Sequence, residues 1–205
     1  MALIYVMDPM CSWCYAFHPH LKDLIGRLKP GTRVFCYMGG LAPDSDQPMP
    51  DELQQGISKT WHRIEQMTGT PFNHDFWQRC QPRRSTYPAC RAVISAELIT
   101  TGSGMQMAEA IQRAYYLEAR NPSDMETLTD LALEIGLDAR RFYSQMQSDK
   151  TEQTLQEDLA YCAGYGIQGF PFLGLEGPNG IDVICSGYCD RDQLLQRASK
   201  LGILE

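Results

Sequence analysis

Leu3-Ile4-Tyr5-Val6-Met7-Asp8-Pro9-Met10-Cys11-Ser12-Trp13-Cys14 carries a strand, a break and the start of a helix in one short run. Leu3 to Met7 is continuously apolar, short and rich in strand formers, the pattern of a buried strand. Asp8-Pro9 breaks it. Beyond the break, Cys14, Phe17, Leu21, Leu24, Ile25 and Leu28 fall at helical spacing along one apolar stripe, and Pro30-Gly31 is the expected stop. Thr32 to Met38 reads as a second strand. Strand, helix, strand in this order suits a parallel, right-handed βαβ unit.

Gly39-Gly40 and residues 43–50 read as a loop, and from there to about Tyr165 the pattern is almost wholly helical. Leu53, Ile57, Trp61, Ile64 and Met67 make one stripe. Ala89 to Ile99 is apolar nearly all round, as a central buried helix would be. Leu155, Leu159 and Cys162 mark the last helix of the block, where Glu152, Glu157 and Asp158 read as a solvated face. The pattern then changes. Phe170 to Leu175 and Ile181 to Cys185 read as two strands around the turn Glu176-Gly177-Pro178-Asn179-Gly180, a β-hairpin, followed by a helix from about Asp190 to Leu201. The fold class is α/β, ordered βαβ…ββα, with a large all-helical insertion. Residues 1–45 with 166–205 are expected to form one domain, and residues 46–165 a helical insertion domain.

Cys11 and Cys14 stand three apart at a helix start, so their sulfurs share a face. Unpaired N–H groups and positive potential at the helix N-terminus favour a thiolate, the attacking species in disulfide exchange. Cys14 belongs to the inward stripe and Cys11 to the exposed end of the helix. Cys11 is therefore read as the nucleophile and Cys14 as the resolving thiol. Ser12 and Trp13 between them are read as tuning the motif. Asp8 just upstream would oppose a Cys11 thiolate by its charge, or accept a proton. Phe170-Pro171 opens the third strand, where a proline is sterically tolerable. Trp13, Phe170 and Pro171 are the candidate substrate contacts, through which an extended chain could add as a strand. His18 lies two turns beyond Cys11, too far for a direct base, and is read as a surface residue.

Net charge is −7 over 205 residues, which argues against nucleic acid and against an anionic membrane surface as partners. No apolar run approaches the roughly eighteen residues of a membrane span. The first basic residue is Lys22, so no charged segment precedes an apolar stretch, and a cytoplasmic location is expected. There, the eight cysteines are expected to be free thiols, with Cys36, Cys80, Cys90 and Cys162 structural. Cys-x2-Cys at 11–14 with Cys-x3-Cys at 185–189 also matches structural-zinc spacing. The long separation and the strand-to-helix placement weigh against that, and no metal is expected.

The strand ending in Asp8-Pro9-Met10-Cys11-Ser12-Trp13-Cys14, the helical insertion and the late Gly169-Phe170-Pro171-Phe172 resemble the DsbA-like branch of the thioredoxin fold, most of all its FrnE-like members, described as predicted protein disulfide isomerases. Ser85-Thr86-Tyr87-Pro88-Ala89 and Arg113-Ala114-Tyr115-Tyr116-Leu117 also look like that group, and the resemblance covers essentially the whole chain. It implies that Cys11 attacks, that Cys14 resolves and that Pro171 is a cis-proline beside them. It also implies protein disulfide oxidoreductase or isomerase activity without a bound cofactor, on thiol- or disulfide-containing protein substrates, with glutathione a further candidate partner. Some members carry an extra redox pair, and Cys185 with Cys189 is the candidate here. The family's exported oxidases typically have Pro-His between the cysteines and a small residue before the proline. Ser12-Trp13 and Phe170 depart from that and weigh against a strongly oxidising role. Two rival readings are a kappa-type glutathione-dependent transferase or isomerase, which would place serine where Cys11 stands, and a chaperone-like binder of unfolded chains.

Overall fold

The computed structural model describes residues 2–178 and 180–205. Among the described residues, four strands lie in the order β2-β1-β3-β4. β1 (Ala2–Met7) pairs parallel with β2 (Arg33–Met38) and antiparallel with β3 (Phe172–Gly177), which pairs antiparallel with β4 (Gly180–Ser186). β1 is thus an inner strand, and the period-2 alternation of its side chains is used on both faces. Leu3, Tyr5 and Met7 enter the main core, whereas Ala2, Ile4 and Val6 pack with Cys162, Ile167 and Phe172. Asn179 of the hairpin turn lies outside the described residues.

Helix α1 (Ser12–Ile25) buries Cys14, Phe17, Leu21 and Leu24, the expected stripe, but it stops at the C-cap Gly26 rather than at Pro30-Gly31. The C-terminal tail explains the early stop. Leu28 forms a β-bridge with Leu204, Lys29 N donates to Ile203 O at 2.9 Å, and Glu205 N donates to Arg27 O at 3.0 Å. Backbone groups that another helical turn would have used are committed to the tail.

Between β2 and β3 come α2 (Asp51–Thr68), α3 (Phe76–Arg79), α4 (Tyr87–Ile99), α5 (Ser103–Tyr116), α6 (Met125–Glu134), α7 (Ala139–Met146) and α8 (Asp149–Gly164); α9 (Arg191–Lys200) follows β4. As its all-round apolar pattern requires, α4 is the central helix, packed against α5, α6, α7 and α8. On α2 only Trp61 and Ile64 of the expected stripe are buried, and Leu53 and Met67 face outward. One continuous core runs from Leu3 and Phe17 through Trp61 and Ile111 to Leu155 and Leu194, so sheet and helices share it. Among the described residues no helix is long and apolar enough to cross a membrane.

The third strand begins at Phe172, two residues later than the sequence suggests, and the Phe170-Pro171 peptide ahead of it is cis. In β4 the register shifts so that Leu173 faces Cys185 while Gly174 faces Val183. This bulge turns the consecutive residues Ile184 and Cys185 both inward.

Candidate functional site

Cys11 is the N-cap of α1, with an extended backbone (φ −83°, ψ 113°). Its Sγ accepts the Cys14 backbone N–H at 3.3 Å, and its own N–H donates to Asp8 O at 2.9 Å. The thiol sits where an N-cap side chain receives one of the helix's orphan N–H groups, a position that favours negative charge. Across the chain, Phe170 O lies 3.7 Å from Cys11 Sγ. Cys11 is not at an exposed end: only 6% of its surface is accessible. The Asp8-Pro9-Met10 turn and the approaching Phe170 backbone cover it. Cys14 is wholly buried, and burial first, then hydrogen bonding to Cys11, pushes its thiol well above the ordinary range. The order of access between the two sulfurs is therefore kept, though both are more enclosed than the sequence suggests.

Asp8 is fully buried beneath the motif. Its Oδ1 accepts from Met10 N at 2.8 Å; its Oδ2 accepts from Leu41 N at 2.7 Å and from the Thr86 hydroxyl at 2.6 Å, with Cys90 Sγ at 3.6 Å. Burial raises its carboxyl, and these donors oppose the rise. One side chain thereby joins the end of β1, the loop after β2 and the start of α4. Neither Thr86 nor Cys90 stands out in the sequence as a partner of Asp8, since the loop that brings them there is a product of tertiary structure.

Ser12 and Trp13 are half-buried in the first turn of α1. Trp13 packs on Tyr188, with centroids 5.4 Å apart, and the Tyr188 hydroxyl lies 3.1 Å from His20 Nε2. Pro171 is buried and its carbonyl accepts Gly187 N at 2.9 Å. The Phe170 ring lies over Gly39: a Cβ there would stand 2.1 Å from the ring's Cζ. Gly39 is therefore part of the site, and the Gly-Gly doublet after a strand is the signal that marks it. His18 is not a free surface residue; its side chain is largely covered and lies 3.0 Å from Glu109 Oε1.

The structure brings Cys11, Cys14, Asp8, Phe170 and Pro171 together. Cys185 and Cys189 form a separate buried pair beside Tyr188, with Cys185 Sγ 2.7 Å from Gly187 O. Hydrogen bonding to Cys189, then burial, pushes Cys185 up, while the same contact draws Cys189 down.

One further group supports the site from behind. Asp158 is buried rather than solvated, and its Oδ2 accepts the Met38 N–H at 2.9 Å, next to Gly39. Burial raises its carboxyl from 3.8 to about 7. Between these values the folded state holds a proton that the unfolded chain has lost, so this residue lowers stability as pH rises from about 4 to 7. Asp158→Asn keeps an acceptor for Met38 N–H and removes the titration. Urea melts are expected to show the variant more stable at pH 8, by about 1–3 kcal/mol, with little difference at pH 4.

A four-stranded mixed sheet with a dithiol at the N-terminus of its first helix, a cis-proline opposite and a helical block between the sheet's halves defines a DsbA-like protein of thioredoxin fold. The chain belongs to the thioredoxin family: the family model described as Thioredoxin matches residues 4–175. Among solved structures, a candidate protein disulfide isomerase from Nitrosomonas europaea is 31% identical, with a TM-score of 0.87 over 97% of this chain and 96% of that one. The cytosolic disulfide reductase DsbM from Pseudomonas aeruginosa is 27% identical, with a TM-score of 0.81 over 98% and 99% of the two chains, and it has also been solved with GSH. The ClpXP adapter protein SpxH of Bacillus subtilis is 25% identical over 82% of this chain and 55% of its own length. The chain thus spans about half the length of the curated relatives it matches.

Proposed function

We propose that this chain exchanges thiols and disulfides with protein substrates, Cys11 attacking and Cys14 resolving. The observation that carries this reading is the placement of Cys11 Sγ between the Cys14 N–H and the Phe170 carbonyl. As a thiolate, Cys11 keeps the N–H bond, and it attacks one sulfur of a substrate disulfide. A mixed disulfide forms and one substrate thiolate leaves. Cys14 then attacks the Cys11 sulfur, its proton passing to the second substrate sulfur as that leaves, so the substrate departs as a thiol and a Cys11–Cys14 disulfide remains. The substrate is reduced and the dithiol oxidised; reversal oxidises a substrate. Asp8 holds the turn that aims Cys11, and Trp13, Phe170 and Pro171 form the wall against which a substrate chain lies.

The motif Ser12-Trp13 and the bulky Phe170 favour reduction or isomerisation over strong oxidation. A small thiol such as glutathione would return the oxidised pair to the dithiol, a reading supported by the likeness to DsbM, and that relative's cytosolic designation supports a cytoplasmic location. We assign residues 1–45 with 166–205 to the redox domain and 46–165 to the helical domain, and Cys185 with Cys189 to an auxiliary redox pair. The comparisons favour thiol–disulfide exchange over a kappa-type transferase or a chaperone-like binder.

Cys14→Ala tests the reading. With the resolving thiol gone, mixed disulfides with a disulfide-bonded substrate are expected to accumulate through Cys11, visible on non-reducing gels and released by reductant. A folded Cys14→Ala protein that traps nothing, or one that traps substrate equally well when Cys11 is also replaced, would overturn the assignment.

A further inference from the structure

The chain has four histidines, and two of them meet at one carboxylate far from the thiols in sequence. His62 and Glu65 lie one turn apart on α2 and share a face. After α2, the left-handed C-cap Gly69 (φ 71°) turns the chain back on itself, and His74 returns to the same point. His62 Nδ1 is 3.2 Å and His74 Nε2 3.0 Å from the same oxygen, Glu65 Oε2. The two imidazoles stack with centroids 4.0 Å apart and planes 11° from parallel. All three donor atoms lie within 4.8 Å of one another.

We infer that His62, Glu65 and His74 bind a divalent transition-metal ion of the zinc type. Two imidazole nitrogens and one carboxylate oxygen are the donor set such ions take, and bonds of about 2.0–2.2 Å arranged tetrahedrally set neighbouring donors roughly 3.3–3.6 Å apart. The two observed donor edges are within a few tenths of an ångström of that span. The carboxylate is already aimed: Phe72 N donates to Glu65 Oε1 at 3.1 Å, which leaves Oε2 for the histidines. Trp61 packs beside His74, with centroids 5.9 Å apart, and holds the inner ring, while His62 stands at the surface as the adjustable ligand.

The ion would be structural. It fastens the loop carrying residues 69–74 to α2, and that loop reaches the active-site helix, because Pro71 O accepts the Tyr15 hydroxyl at 3.2 Å. The same loop walls a cavity of about 780 Å³ alongside α1.

Cobalt(II) distinguishes this site from the thiols, which also bind soft ions. With the reduced protein, Co2+ is expected to give weak visible d–d absorption at one equivalent, lost in His62→Ala and in His74→Ala and kept in a Cys11→Ser/Cys14→Ser protein. In the Cys11→Ser/Cys14→Ser background, Zn2+ is expected to raise the melting temperature and to leave it unchanged once His62→Ala is added. His62 is at the surface, so His62→Ala decides the matter even where His74→Ala folds poorly. Absorption that survives His62→Ala, thiolate-to-cobalt charge transfer alone, or no cobalt binding would each overturn the inference and leave the cluster a hydrogen-bonded clamp.

Discussion

Cys11→Ser protein is expected to fold normally and to reduce a disulfide-bonded substrate on the order of 10³-fold or more slowly than wild type. The two halves of this expectation have separate origins. Serine is among the preferred N-cap residues, and its hydroxyl can accept the Cys14 N–H as the thiol does, so α1 keeps its first turn. A hydroxyl cannot form the mixed disulfide, and Cys14 is no substitute, because it is sealed in the core and burial holds its thiol protonated. Substrate turnover monitored beside a thermal melt checks both halves. Retained turnover in a folded Cys11→Ser protein would move the nucleophile elsewhere, with the Cys185–Cys189 pair the next candidate.

Asp8→Ala is expected to lose about 3 kcal/mol of stability and to melt about 6–12 °C lower. The carboxylate is enclosed, and Met10 N, Leu41 N and the Thr86 hydroxyl all donate to it. Alanine leaves the buried Met10 N–H and the partly covered Leu41 N–H without an acceptor and the Thr86 hydroxyl with only its longer contact to Ala42 O at 3.4 Å, and each donor stranded away from water costs about 1–3 kcal/mol, less what relaxation recovers. Asp8→Asn separates hydrogen bonding from charge. Its carbonyl can serve Leu41 and Thr86, which leaves only Met10 opposed by an amide, so about half the loss is expected. The asparagine variant also removes a negative charge that raises Cys14, so the Cys14 thiol is expected to titrate lower. Equal melting temperatures for wild type and Asp8→Ala would show that the network does not hold the motif.

Most elements were legible in the sequence because local periodicity wrote them. The run Leu3 to Met7 announces a buried strand, and the stripe Cys14-Phe17-Leu21-Leu24 announces the face α1 buries. What was not legible depends on distant partners. Leu28 fits the helical stripe perfectly well, and only the bridge to Leu204 draws it away. Asp158 sits among exposed charges on α8, and only the end of β2 explains why a carboxylate turns inward to Met38. The placing of Cys11 at a helix start could be read from Asp8-Pro9, but its enclosure could not, since the covering Phe170 backbone arrives from 159 residues away. Phe170 itself reads as a substrate contact; that its ring needs the bare backbone of Gly39 beneath it is visible only once β2 and the bend before β3 are side by side.

The strand order has a consequence for the protein's birth. β1 pairs with β3, and the carbonyl that faces Cys11 belongs to the segment just before β3. A ribosome adding about 5–20 residues each second needs roughly 10–30 s to travel from one to the other. Cys11 and Cys14 therefore leave the tunnel earlier, by about that interval, than the segment that covers them. The nascent chain passes through a stage in which Cys11 and Cys14 are more accessible than in the folded protein, where they are 6% and 0% exposed. Completion of the sheet is the event that turns two ordinary, vulnerable cysteines into a guarded pair.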